Sequence, residues 1–146
     1  MVDFSVLEEK IIQSLSELKN EGIRTCESYS GQLEGKIPEV TKRFPAVYVM
    51  CDGAKYTQRN QLTESEVSFL ILCADRSLRA KSKEALAGVS SLVRRVRELL
   101  HGKRILGDPF TPLFVQEEKV LVFEPELGVA VFSARYFSKA MFRIGG

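Results

Sequence analysis

Few side chains in this sequence are of the kinds that make and break bonds. The single histidine is His101, and the cysteines are Cys26, Cys51 and Cys73. Nucleophilic catalysis needs a nucleophile beside a base, and His101 falls in the last turn of a helical stretch, where a basic residue meets the negative end of the dipole. No G-x-S-x-G is present, and no cysteine has a setting that would activate it. One imidazole and three scattered thiols do not make a recognisable metal-ligand set. Glu117, Glu118, Glu124 and Glu126 form the only carboxylate cluster that invites a paired acid/base reading. Their strand-and-turn context instead suggests a solvated edge whose charges discourage unwanted pairing. Neither G-x-G-x-x-G nor G-x-x-x-x-G-K-[ST] occurs, so no phosphate-cradling loop is indicated. The chemistry points away from an enzyme, and no metal or other cofactor is expected.

The basic residues are the other candidates. From Arg76 to Arg104 the chain carries nine Lys/Arg and two Asp/Glu, 9 − 2 = +7; the formal total is +2, so the rest carries −5. Unlike-charged regions on one small domain permit head-to-tail association. The clusters Lys42-Arg43 and Arg94-Arg95-Val96-Arg97 lack the aromatic stacking residues or reading helix of nucleic-acid modules. Direct nucleic-acid binding is therefore not expected, although a small ligand- or nucleic-acid-binding module stands as the alternative class.

These residues must be held by a scaffold, and 146 residues suffice for one domain, 1–146, with its own core. The organising stretch is Glu84–Gly102. Leu86, Val89, Val93, Val96 and Leu100 recur at helical spacing, Leu92 and Leu99 widen the stripe, and Arg94, Arg95, Arg97 and Glu98 take the other side. Gly102 is the expected stop. A first helix is expected over Asp3–Asn20, with Asp3 as N-cap and Phe4, Leu7, Ile11, Leu15 and Leu18 on one face. Ile23–Tyr29 reads as a short strand and Ser30–Arg43 as a loop. Ala46–Cys51 reads as a strand closed by an Asp52-Gly53 turn. Ala54–Glu64 is polar and aperiodic, the tip of a hairpin drawn out as a long loop. Ser65–Ala74 is a central strand, apolar on both faces in its second half. Asp75–Lys83 links it to the helix. Leu113–Glu118 and Val120–Phe123 form one interrupted strand or two short ones, and Val129–Phe142 alternates as the last. The order is α-β-β-β-α-β-β. The fold class is α+β: a mainly antiparallel, mixed sheet with two amphipathic helices packed on one face.

The odd cysteine count without a C-x-x-C is not a secreted disulfide framework. The N-terminus lacks the basic region of a signal peptide, and the longest apolar run, Phe69–Ala74, is far short of the ~20 residues a membrane span needs. A reducing cytoplasm and no membrane partner are expected.

Taken in order, the motifs resemble the Mu-like bacteriophage tail terminator (tail completion) family. They are an N-terminal amphipathic helix ending in Leu15-Ser-Glu-Leu18; then Phe44-Pro45-Ala46-Val47-Tyr48-Val49 followed by Asp52-Gly53; then Val67-Ser-Phe-Leu-Ile-Leu72 ahead of a helix containing Gly88-Val89 and closing on Leu99-Leu100-His101-Gly102. A final hairpin carries Leu121-Val-Phe123 and Val129-Ala-Val131. The resemblance implies an α+β subunit that closes into a ring with copies of itself, typically a hexamer. The ring caps the tail tube protein, ends tube growth and offers a surface to the head-tail connector protein. It also implies a place in the virion tail, with assembly in the bacterial host cytoplasm. On this reading Lys55, Arg59, Arg94, Arg95 and Arg97 are candidate contacts, with Glu117, Glu124 and Glu126 as the acidic counterpart in a ring's two unlike interfaces.

Overall fold

The order of elements follows from where apolar residues can find each other. In the computed structural model, which describes residues 2–76, 82–124 and 126–143 (backbone only for 82–87), α1 (Phe4–Ser14) comes first. Asp3 caps it, its carboxylate accepting from the Val6 amide at 3.3 Å. The chain tightens into a 3-10 segment over Ser16–Glu21 and turns at Gly22, whose φ of 94° few residues but glycine adopt. Strand β1 (Thr25–Ser28) is followed by a one-turn helix, α2 (Ile37–Val40). A long hairpin of β2 (Ala46–Arg59) and β3 (Leu62–Arg76) leads to α3 (Ser82–Leu100). Strands β4 (Phe114–Glu124) and β5 (Val129–Arg143) complete the chain.

The five strands form one sheet in the order β1-β2-β3-β5-β4. Only the β1–β2 pair is parallel; the other neighbours are antiparallel. Helices α1 and α3 lie on one face. Leu7, Ile11, Leu15, Val89, Val93, Val96 and Leu100 pack there on Val47, Val49, Val67, Phe69, Ile71, Cys73, Ala134 and Tyr136. The α+β architecture expected from the sequence is therefore present, and so are the two amphipathic stripes.

Three differences matter for function. Ala54–Glu64 is not a long loop: β2 and β3 remain paired out to Arg59↔Leu62, and Asn60, with φ 56°, sits at a tight tip. Asp52-Gly53 does not turn the chain. Cys51 pairs with Phe69 and Gly53 with Ser68, so Asp52 is the extra residue of a β-bulge, where Gly53 takes φ 141°. The third difference is a strap over residues 29–45, of which Ser30–Arg43 was expected as a loop. Tyr29, Leu33, Val40 and Phe44 cover Tyr48, Leu72, Ala74, Val129 and Val131 on the face away from α1 and α3. That second cover explains the apolar residues on both sides of β3. The expected link Asp75–Lys83 falls largely outside the described residues, as does the side chain of Leu86.

Candidate assembly interface

The sequence-derived candidates separate into three places. Lys55 and Arg59 lie on the outer half of β2, Arg94, Arg95 and Arg97 on α3, and Glu117, Glu124 and Glu126 on β4 and the turn after it.

The α3 arginines are largely occupied by their own chain. Arg95 donates to Glu21 at 2.9 Å and to Glu17 at 3.1 Å, which ties α3 to the 3-10 segment after α1. Hydrogen bonds from Arg95 hold the Glu21 carboxyl below its usual range. Arg97 forms a bidentate pair with Glu118, Nε at 2.9 Å and Nη2 at 2.6 Å, pinning α3 to β4. Of the β4 acids it is thus Glu118, outside the candidate contact set, that a basic α3 side chain engages within the subunit. Arg94 stays exposed, its nearest carboxylate being Glu98 at 3.8 Å. His101 has a backbone partner: its Nδ1 accepts the Val115 amide at 3.0 Å and secures the start of β4.

The sheet ends on two unlike edges. On the β4 side, the backbone bonds Gly102 N to Leu113 O (2.7 Å) and Leu113 N to Lys103 O (3.0 Å), together with the His101 contact, cover the approach to β4 and its first residues. Beyond them, from Gln116 to Phe123, no described residue pairs with the outer side of the strand. Val120, Leu121, Val122 and Phe123 lie on this run and are 39–51% exposed. A register shift between Val120 and Val122 makes Leu121 a bulged residue. Four adjacent exposed apolar side chains on an open strand are uncommon on a monomer's surface and mark a place for association. Glu117 pairs with its neighbour Lys119 at 3.0 Å. Glu124 and Glu126 are exposed, and no described residue forms an ion pair with either.

On the opposite side β1 shields only the first part of β2, from Ala46 to Val49, and Tyr29 N adds a last bond to Val49 O at 2.8 Å. From Gly53 to Arg59 no strand among the described residues lies beside the outer side of β2. Lys55 and Tyr56 are exposed there, and Arg59 is held to Glu64 of β3 at 2.6 Å. The Asp52 carboxylate receives the Arg135 guanidinium across the sheet at the foot of this run.

Among the described residues no cluster of three metal-ligating side chains occurs, and no helix is long and apolar enough to cross a membrane. The cleft between the strap and β4, lined by Leu33, Ile37, Val40, Phe44, Val122 and Val131, holds about 150 Å³. That is below the ~300 Å³ at which small-molecule sites begin. The thiols are set for packing: burial pushes Cys26 up to about 11 and raises Cys73 further.

Sequence reasoning read Glu117–Glu126 as a solvated edge but missed the exposed apolar run Val120–Phe123 within it. Its one signal was an apolar run flanked by charge, which a buried strand would share.

By class this is an α+β protein whose sheet leaves two unlike strand edges open to pairing. Comparison with known proteins makes the class definite. The model of the family described as "Bacteriophage Mu, Gp37" matches residues 3–139. The chain belongs to that bacteriophage family, as its Mu-like motifs led one to expect. Among solved structures, a chain of the "Virion of native gene transfer agent (GTA) particle" is similar in fold at 12% identity, with a TM-score of 0.62 over 93% of this chain and 95% of that one. No curated protein matches the sequence.

Proposed function

We propose that this protein is the repeating subunit of a ring, a hexamer, that caps the phage tail tube, ends its polymerisation and joins the tail to the head-side connector. It acts by the shape it presents, with no bond-making step and no cofactor. The observation that carries the reading is the open apolar edge of β4. A free subunit that leaves Val120–Phe123 in water gains by covering them. Membership of a bacteriophage Mu family and a fold shared with a chain from a gene transfer agent virion support the same reading. So do the motifs of the tail terminator family. Lys55, Arg59, Arg94, Glu117, Glu124 and Glu126 are the contact residues of this ring and its neighbours. Arg95 and Arg97 contribute chiefly by fixing α3 within each subunit. The protein is accordingly a component of the virion tail, assembled in the host cytoplasm.

Size-exclusion chromatography with light scattering, followed by negative-stain microscopy with purified tail tubes, tests the proposal. Rings, free or seated on tube ends, are expected. Monomers that ignore tube ends at every concentration would overturn it.

A further inference from the structure

The ring proposed above needs two different patches that fit each other, and the sheet supplies a pair. We infer that the free run of β4, Gln116–Phe123, pairs with the free run of β2, Gly53–Arg59, of a second copy, so that one sheet continues from subunit to subunit. This inference rests on the ring reading and adds to it which surfaces meet.

Strand direction is the first support. Every neighbouring pair from β2 to β4 is antiparallel. Through β2-β3-β5-β4 the directions alternate, so β4 runs opposite to β2. A second copy with its sheet in the same sense therefore brings its β2 antiparallel to β4, and the alternation continues unbroken. Both runs have backbone groups free to bond, and two such edges satisfy each other as any ladder does.

Charge favours this pair, chiefly through Lys55 and Glu124, since Arg59 is held by Glu64 and Glu118 by Arg97 within the subunit. Over the free run Gln116–Phe123 there are Glu117 and Glu118 against Lys119, 1 − 2 = −1, and Glu124 follows directly. From Gly53 to Arg59 there are Lys55 and Arg59 and no acid, +2. Two β4 edges facing each other would set acid against acid, and two β2 edges base against base; like charges opposite one another weaken a strand pair. The unlike pairing is also the one that does not stop at two copies.

Placement sets a condition on the pairing. β1 blocks β2 from Ala46 to Val49, and β4 spans the same level of the sheet, since Val120 lies in line with Phe132, Cys73 and Val47. Neighbouring copies must therefore be offset along the strands to meet. Closing a sheet into a cylinder imposes an offset of this kind, because its strands tilt from the axis.

Cysteine cross-linking tests the pairing in the full chain. Val120→Cys and Tyr56→Cys are placed separately in a Cys51→Ser background and joined with a short bis-maleimide. Both positions are 48–49% exposed, and circular dichroism confirms that each variant folds. The expected result is a cross-linked dimer when the two variants are mixed, little or none from either alone, and a ladder of multimers when both cysteines are on one chain. Lys55→Glu with Arg59→Glu is expected to abolish the mixed dimer, and adding Glu117→Lys with Glu124→Lys on the partner to restore it. Self-cross-linking of Val120→Cys overturns the inference in favour of a two-fold contact. Rings seen by microscopy without the mixed dimer overturn the pairing and leave the ring standing. Monomers throughout overturn both.

Discussion

The two halves of the β2–β3 hairpin are continuous strands with opposite circumstances. The inner half, Ala46–Cys51 with Phe69–Ala74, is sandwiched: helices on one side, the 29–45 strap on the other. Tyr48, Phe69, Ile71 and Cys73 have essentially no exposed surface. The outer half, Ala54–Arg59 with Leu62–Val67, is paired on one side to β5 but open along β2, and Tyr56 and Leu62 stand in water. The same ladder thus serves as core at one end and as reaching surface at the other. Backbone pairing gives the outer half its shape; the packing that holds the fold lies in the inner half.

Substitutions can test that division, the most damaging first. Val93→Asp would force a carboxylate between α3 and the sheet, where Val93 is 3% exposed. Loss of the cooperative thermal transition is expected, since an unpaired buried charge exceeds the typical stability of such a domain's single contacts. A melt near that of the wild type would show that α3 does not seal the core. Phe69→Ala should cost about 3–5 kcal/mol in urea unfolding, the range for truncating a buried aromatic. Tyr56→Ala, on the outer half, should stay within about 0.5 kcal/mol. Equal costs would erase the distinction between the halves.

Arg97→Ala comes next. It leaves Glu118 without its bidentate partner and should lower stability by about 1 kcal/mol, because water still reaches the guanidinium. The smallest effect is on acidification. Arg95 holds the Glu21 carboxyl below its usual range, and Arg59 does the same for Glu64. A carboxyl depressed in the folded state contributes stability above its unfolded pKa and loses it as pH falls through the folded value. Tm should therefore decline slightly below about pH 4.5, and the Arg95→Ala variant should show less of that decline. Identical profiles would mean that these exposed pairs contribute nothing.

The same contrast explains what could be read from the chain beforehand. α1, α3 and the centre of β3 announced themselves, because one-sided helices and a doubly covered strand leave strong apolar periods. The outer hairpin did not. Its covered side is made of small residues such as Ala54, Ser65, Ser138 and Ala140, which give no hydrophobic signal. Asp52-Gly53 read as a turn because tight turns and bulges both require a backbone conformation that favours glycine. The charged candidates were legible as charges but not as partners. Only the fold brings Arg97 to Glu118 and Arg95 to Glu21, while Lys55 is left in solvent. The charges of Glu117–Glu126 suggested an edge, but which strand stands outermost was hidden for a topological reason. β5 is last in the chain yet lies inside, and β4 lies outside, an inversion that no local pattern records.

The bulge at Asp52 has a consequence of its own. Before it, odd-numbered residues of β2 (Val47, Val49, Cys51) face the helices; after it, the even-numbered Ala54 does, and Lys55, Thr57 and Arg59 are turned to the far side. One additional residue is therefore a parity switch. Excising Asp52 would keep Gly53 on Ser68 and the outer register as it is; ironing the bulge out, with Asp52 itself paired to Ser68, would instead turn the outer strand over and swing Lys55 and Arg59 toward the helix side.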